Sequence, residues 1–438
     1  MKSMNILSIT PHLGGGAGTC IKTWILKEQE LHMNRKHTVV SLDINKTPVD
    51  PSISLYEDMH NNIPEIMNLI KKTDIVLIHW WNHPMLFDLL LNYSFPKCRI
   101  AMWSLASCLF PPYVHSEDLL EFSDKFVFSS PVSYRAKEIQ DLPQEQKNKL
   151  DMIWASCDIT RYKDMKREPH DNFNIGTIIG SADYSKLNTK FVELCAEVNI
   201  PNAIFHVVCS ESFSKQLEKD IKRVGLSNKI LLHTNVPDIY PYLKSFDIFS
   251  YPLQPYHFGT CEIAIGEAMI SGLAPVVLNN PSENYIVDHE ITGFIANSKE
   301  EYANYIEFLY NNPKTRKEMS KKASNSAIEK YSVETVMYKW GNTFNSMMNL
   351  KKVKRDWRSD NEKLPGSLIF AEALGNYKYI FYDNYLAISD EQKKESSKKI
   401  SELFKSNPQW GSENKGGIKQ YLKIFPYDKH LQEWEKLL

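Results

Sequence analysis

"YPLQPYHFGTCEIAIGEAMISGLAPVVLNN" (residues 251–280) is the stretch on which the fold is decided. It continues a strand-like run, "FDIFSYP" (246–252), through a glycine turn into a helix that begins near Thr260 and carries both Glu262 and Glu267, and closes on a second strand-like run, "APVVLN" (274–279). Strand, turn, helix and strand in about 30 residues make a βαβ unit, which requires a parallel sheet with both faces covered. The turn feeds the helix start, so backbone N–H groups and the positive end of the helix dipole face whatever lies before it. Two acids, Glu262 and Glu267, stand there among small and apolar neighbours. Acids near a helix start are favourable for structural reasons alone; alternatively, the turn cradles a phosphate or sugar while a glutamate holds its hydroxyls.

The same alternation extends outward in both directions. "NILSIT" (5–10), "HTVVSLD" (37–43), "DIVLIHWW" (74–81), "CRIAMWS" (98–104) and "KFVFSS" (125–130) read as strands separated by helical segments. A polar stretch, "RYKDMKREPHDN" (161–172), precedes a restart with "FNIGTII" (173–179), "AIFHVVCS" (203–210) and "KILLH" (229–233). Two doubly wound domains, 1–165 and 166–330, are the economical reading, with ligand expected in a cleft between them at the carboxyl ends of the strands. A helix over 331–350 should cross back to the first domain. Beyond a linker, residues 367–438 read as a helical C-terminal appendage whose aromatic run "YKYIFYDNY" (377–385) should pack on the first domain or on a second protomer.

The bulk properties limit the partners. At 438 residues the chain exceeds the ~100–200 residues of one ordinary domain. A net charge of -1 disfavours nucleic acid or an acidic membrane as the main partner. Seven cysteines without a CxxC pair read as reduced thiols of a cytoplasmic protein, free or peripheral at a membrane. The start, "MKSMNILSIT", reads as a first strand and not a signal peptide, and no run approaches the ~20 apolar residues of a transmembrane helix. There is no Asp-x-Asp, no HExxH and no Cys/His cluster, so no metal site and no cofactor are implied.

A second glycine loop, "PHLGGGAGT" (11–19), follows the first strand. Gly14, Gly15 and Gly16 let backbone N–H groups approach an anion at the next helix, although the dinucleotide spacing GxGxxG is not met. Asp43 ends the second strand, where a ribose-binding acid would sit. "IIGSADYSK" (178–186) places Ser181 and Lys186 after the first strand of the second domain.

Taken together, "GEAMISGLAPVVLNNPSENYIVDHEITGFI" (266–295) resembles the signature of the retaining "group 1" glycosyltransferases of the GT-B fold, over about residues 1–350. That resemblance implies two Rossmann-like domains facing a cleft, the first for the acceptor and the second for a nucleotide diphosphate sugar. His257 and the amides of Gly259, Thr260 and Cys261 would face the donor's sugar and diphosphate. Glu267 would bind the nucleotide ribose, Lys186 the diphosphate, and Asn235 and Val236 the base. The family's earlier glutamate falls at Gly259; Glu262 either takes its role or is structural. Ser181 stands where the family has arginine. Trp80, Trp81, His83 and Trp103 fall where the family builds its acceptor pocket, either stacking on sugar faces or forming core. The implied reaction is metal-independent hexosyl transfer, with retention, to a glycan, lipid-linked or small-molecule hydroxyl, a uridine donor being the commonest. The alternatives are a nucleotide-sugar epimerase or hydrolase, and a non-catalytic partner subunit. A homo-oligomer formed through the tail is a further expectation.

Overall fold

The computed structural model describes residues 3–46, 48–180, 183–358 and 362–438. The chain divides into two compact units, Met1–Ile153 with Met337–Leu438, and Trp154–Val336.

In the first unit the strands run, in chain order, β1 (Met4–Thr10), β2 (Arg35–Ser41), β3 (Ser54–Tyr56), β4 (Ile75–Trp80), β5 (Phe95–Cys98), β6 (Ile100–Ser104), β7 (Lys125–Phe128) and β8 (Leu150–Met152). All but β5 form one sheet in the order β3-β2-β1-β4-β6-β7-β8, every neighbouring pair parallel. A parallel sheet is buried on both faces, which is why β4 is the unbroken run "IVLIHW" with every residue buried. The stretch read as one strand over 98–104 is two: β5 leaves the main sheet and pairs antiparallel with Val353–Arg355.

The first helix, Gly15–Glu30, buries Cys20, Ile21, Trp24 and Ile25 against this sheet. Trp24 stacks on Trp340 at 5.6 Å and meets Trp103 edge-on at 6.3 Å. Its indole N–H donates to Glu28, which also receives Arg35 and His37. Burial would raise the Glu28 carboxyl, but the bonds from His37 and Arg35 hold it down at about 2. A charge so enclosed is tolerated because each of its oxygens is satisfied.

The helical tail belongs with this unit. Leu364 N–H donates to Asn92, Tyr421 hydroxyl to Asn82 (2.9 Å), Tyr113 hydroxyl to Gln409, and the Asn407 amide to Pro111 C=O. Its own core is aromatic, with Phe370, Phe381, Trp410, Tyr421 and Trp434 buried. The tail of 367–438 is therefore helical and shares the first unit's packing, and the unit division falls at 153/154 and 336/337. The helix Val333–Met348 spans the second division.

The second unit holds β9 (Phe173–Gly180), β10 (Ala203–Cys209), β11 (Ile230–His233), β12 (Ile248–Tyr251), β13 (Ala274–Leu278) and β14 (Phe294–Ala296). They form a parallel sheet in the order β11-β10-β9-β12-β13-β14. Each unit is thus a doubly wound, Rossmann-like layer structure. Among the described residues no helix is long and apolar enough to cross a membrane.

Candidate functional site

In the second unit the chain leaves β12 at Tyr251 and runs through 252–262 into the helix Ile263–Ile270. The helix starts at Ile263, not near Thr260, and Glu262 is its N-cap residue, with φ 31 and ψ 73. Glu262 therefore does not occupy the first helical turn. A non-glycine residue in the left-handed region costs about 1 kcal/mol or more, and such conformations persist only where the surroundings hold them.

What holds this one is a closed set of side chains. The Lys186 ammonium lies 2.8 Å from Glu262 Oε2, and the Tyr251 hydroxyl donates to the same oxygen at 3.1 Å. Lys186 also sits over the rings of Tyr251 and Phe258. Burial opposes both charges of the pair. The Glu262 carboxylate nevertheless holds Lys186 well above the usual lysine range, while Lys186 and His257 keep Glu262 below the usual carboxylate range. The Lys186 side chain is only 16% exposed, so it takes part in the packing of the loop.

Gly259 explains the glutamate's position. A Cβ on residue 259 would fall 1.6 Å from Glu262 Oε1, so that carboxylate fills the space a side chain at 259 would occupy. The turn is held at both ends of one residue. Gly259 N–H donates to His257 Nδ1 at 3.0 Å, and Ser282 hydroxyl donates to Gly259 C=O at 2.6 Å. His257 Nε2 in turn meets Glu283 Oε2 at 3.2 Å. Burial would lower His257, but Glu283 and Glu262 outweigh it and hold the ring above the ordinary histidine value. Tyr331 hydroxyl donates to Cys261 C=O, and Thr260 and Cys261 are both buried. Ser282 and Glu283, absent from the candidates above, are thus the residues that fix the loop from behind.

Glu267 is buried, 7% exposed, in the helix body, and accepts from Tyr162 hydroxyl at 3.4 Å. Burial raises its carboxyl to about 7, with Tyr162 and Arg161 partly opposing. Asn235 is exposed with φ 54, and Val236 beside it is half-buried. Ser181 lies outside the described residues.

The first unit's candidates separate into two groups. Trp80 is enclosed by Phe87, His115 and Phe126, and Trp103 by Trp24, His79 and Trp340. Both rings are 0% exposed, so of the two alternatives these two residues take the core one: strands buried on two faces place them there. Trp81 and His83 stand at the end of β4 beside His12, with the Lys415 ammonium of the tail 5.3 Å from the Trp81 ring. His12 Nδ1 accepts Gly14 N–H at 3.1 Å, Gly15 has φ 64, and Gly15 and Gly16 are exposed at the helix start. Asp43 lies just past β2, its N–H bonded to Pro11 C=O.

The resident chemistry is therefore a buried ion pair, two further acids and backbone donors. Among the described residues no group of three or more His, Cys, Asp or Glu is placed to hold a metal ion.

No curated protein matches the chain. Among solved structures it resembles HepE of Anabaena in complex with UDP (18% identity, TM-score 0.60, 78% of this chain and 100% of that one). It also resembles a glycosyltransferase of Rickettsia africae (15%, 0.62, 80% and 100%) and sucrose-phosphate synthase of Thermosynechococcus elongatus (13%, 0.62, 78% and 99%). These likenesses show a GT-B fold, and residues 161–326, which contain the whole Lys186–Glu262–Glu283 site, match the family model of group 1 glycosyl transferases.

Proposed function

We propose that the protein transfers a sugar from a nucleotide diphosphate sugar to an acceptor hydroxyl, with retention and without a metal ion. The observation that carries this reading is the Glu262 carboxylate standing in the side-chain space of residue 259 and paired with Lys186. An acid is thereby delivered to the position from which donor-sugar hydroxyls would be gripped, by a residue three places later in the chain. Support for a uridine donor comes from HepE, solved with UDP and with UDP-glucose.

In the proposed reaction the bond from the anomeric carbon to the diphosphate oxygen breaks, and the acceptor oxygen bonds to that carbon on the same face. The departing phosphate oxygen takes the acceptor's proton, so no protein nucleophile is required. Negative charge grows on the diphosphate as it leaves. Lys186, divided between Glu262 and the phosphates, meets that charge together with the loop's amides, and such preorganised donors are each worth ~10²–10³ in rate. Glu262, held ionised, accepts from the sugar's hydroxyls. Glu267 accepts from the ribose in place of Tyr162.

A thermal-shift panel of nucleotide sugars tests the assignment, since a ligand at ~100 Kd adds about 2.7 kcal/mol of apparent stability. Stabilisation by one nucleotide family, followed by sugar transfer only when an acceptor is added, is the expected result. Sugar release without acceptor would point to a hydrolase or epimerase, and no shift with any donor would overturn the reading.

A further inference from the structure

His257 is placed to make donor binding a proton-linked event. In the structure its Nδ1 accepts the Gly259 N–H at 3.0 Å, which requires a lone pair on that nitrogen. The ring proton is then on Nε2, directed at Glu283 Oε2 3.2 Å away. The same Nδ1 lies 3.8 Å from Glu262 Oε1, too far for a hydrogen bond and close enough to become one with a small shift. The groups facing the ring are thus Glu283, Glu262 and, through Glu262, Lys186, with Tyr251 bonded to the same carboxylate.

With a neutral ring, this enclosed set carries two carboxylates and one ammonium, a net charge of minus one. A nucleoside diphosphate adds further negative charge and draws on Lys186, the cation paired with Glu262. The amide that the donor needs from Gly259 is meanwhile occupied by His257. One event relieves all three problems.

We propose that occupation of this loop by a nucleoside diphosphate takes up one proton from solvent at His257 Nδ1, which turns the ring from acceptor of the Gly259 N–H into donor to Glu262 and releases that amide to the ligand. The inference rests on the donor-site reading above and adds to it a positioning role for the His257–Glu283 pair. The two carboxylates already favour the protonated ring before any ligand arrives, so the linkage is expressed above the free protein's His257 pKa, which lies above the ordinary histidine value.

The test is calorimetric titration of the full chain with UDP, GDP and ADP in Tris and in HEPES between pH 7.5 and 9. In that range the nucleotide's own phosphate, with a pKa near ~6, stays ionised. The dependence of the apparent enthalpy on buffer gives the protons taken up. For the nucleotide that binds, close to one proton and an affinity falling about tenfold per pH unit are expected. Both should vanish in His257→Gln, and in Glu283→Gln the window should move to lower pH because the ring loses one facing carboxylate. Binding without proton uptake, or uptake unchanged in His257→Gln, would overturn the coupling while leaving the donor site intact. Failure of all three nucleotides to bind would overturn the donor-site reading and the coupling with it.

Discussion

The two glycine loops share their opening chemistry and diverge at once. "HLG" at 12–14 and "HFG" at 257–259 each place a histidine two residues before a glycine whose N–H its Nδ1 accepts, at 3.1 and 3.0 Å. The first loop then runs through exposed Gly15 and Gly16 into a helix with no acid in its first turn. The second fills its glycine space with the Glu262 carboxylate and closes it with Lys186, Ser282 and Glu283. The histidines respond in opposite senses. Burial and Lys415 lower His12 to about 4, whereas Glu283 and Glu262 overcome burial and raise His257. Similar local turns thus acquire opposite electrostatics from the groups packed around them.

The comparison can be broken most forcefully at the ion pair. Removing one partner leaves a buried charge alone, so Glu262→Ala should cost about 3–5 kcal/mol in denaturant unfolding of the second unit. Lys186→Met combined with Glu262→Gln should cost far less, because neither charge is then stranded. Equal losses in the single and double variants would show that the pair is not what the loop is built on.

Next comes glycine itself. Gly259→Ala drives a Cβ into the Glu262 carboxylate, and a loss of roughly 1–3 kcal/mol is expected from overpacking. Gly15→Ala meets nothing within 4 Å and should cost only the ~1 kcal/mol of its left-handed φ of 64. Exchanging the two residues, Gly259→Glu with Glu262→Gly, puts glycine at φ 31 and should recover stability relative to Gly259→Ala. A double variant less stable than Gly259→Ala would contradict the shared-space argument.

Glu267 sharpens the contrast through pH. Its carboxyl is raised from 4.5 to about 7 in the folded chain, so the fold binds the proton more tightly than the unfolded state does. Stability from this group is full below pH 4.5 and declines as pH rises towards 7, by up to about 3 kcal/mol. Glu267→Gln should flatten that decline in thermal unfolding measured from pH 5 to 8; an unchanged slope would remove Glu267 as its source.

The last contrast is between the two histidines, read by NMR titration. His257 should titrate above 6.5, with its stabilising contribution present below 6.5 and lost as pH rises through its folded value. His12 should stay neutral until about pH 4, with stability lost as pH falls from 6.5 towards that value. Coincident titrations would mean that the groups packed around them do not set the difference.

How much of this was legible follows from the range of each interaction. The βαβ alternation is local, so both sheets could be read, except for three-residue strands such as β3 and β8, which carry too little pattern. The departure at Gly259 was also legible, because it is a matter of spacing from Glu267. Its resolution was not: that Glu262 folds back into the glycine's space depends on a left-handed N-cap that helix periodicity does not announce. Ser282 and Glu283 bond to partners 23 and 26 residues earlier, a distance at which a polar loop offers no local signal. Trp80 and Trp103 stayed open between two readings because tryptophans near strand ends look alike whether they face a ligand or a second layer of core.

In the proposed function Glu262 does the work of an acid at position 259 on a nucleotide sugar. This role is tested most directly by comparing wild type and Glu262→Gln for binding of UDP alone and for turnover of UDP-sugars with acceptor. The account expects UDP affinity within a few fold of wild type and turnover reduced ~10²-fold or more, since the lost group touches the sugar and not the nucleotide. Undiminished turnover in Glu262→Gln would contradict it.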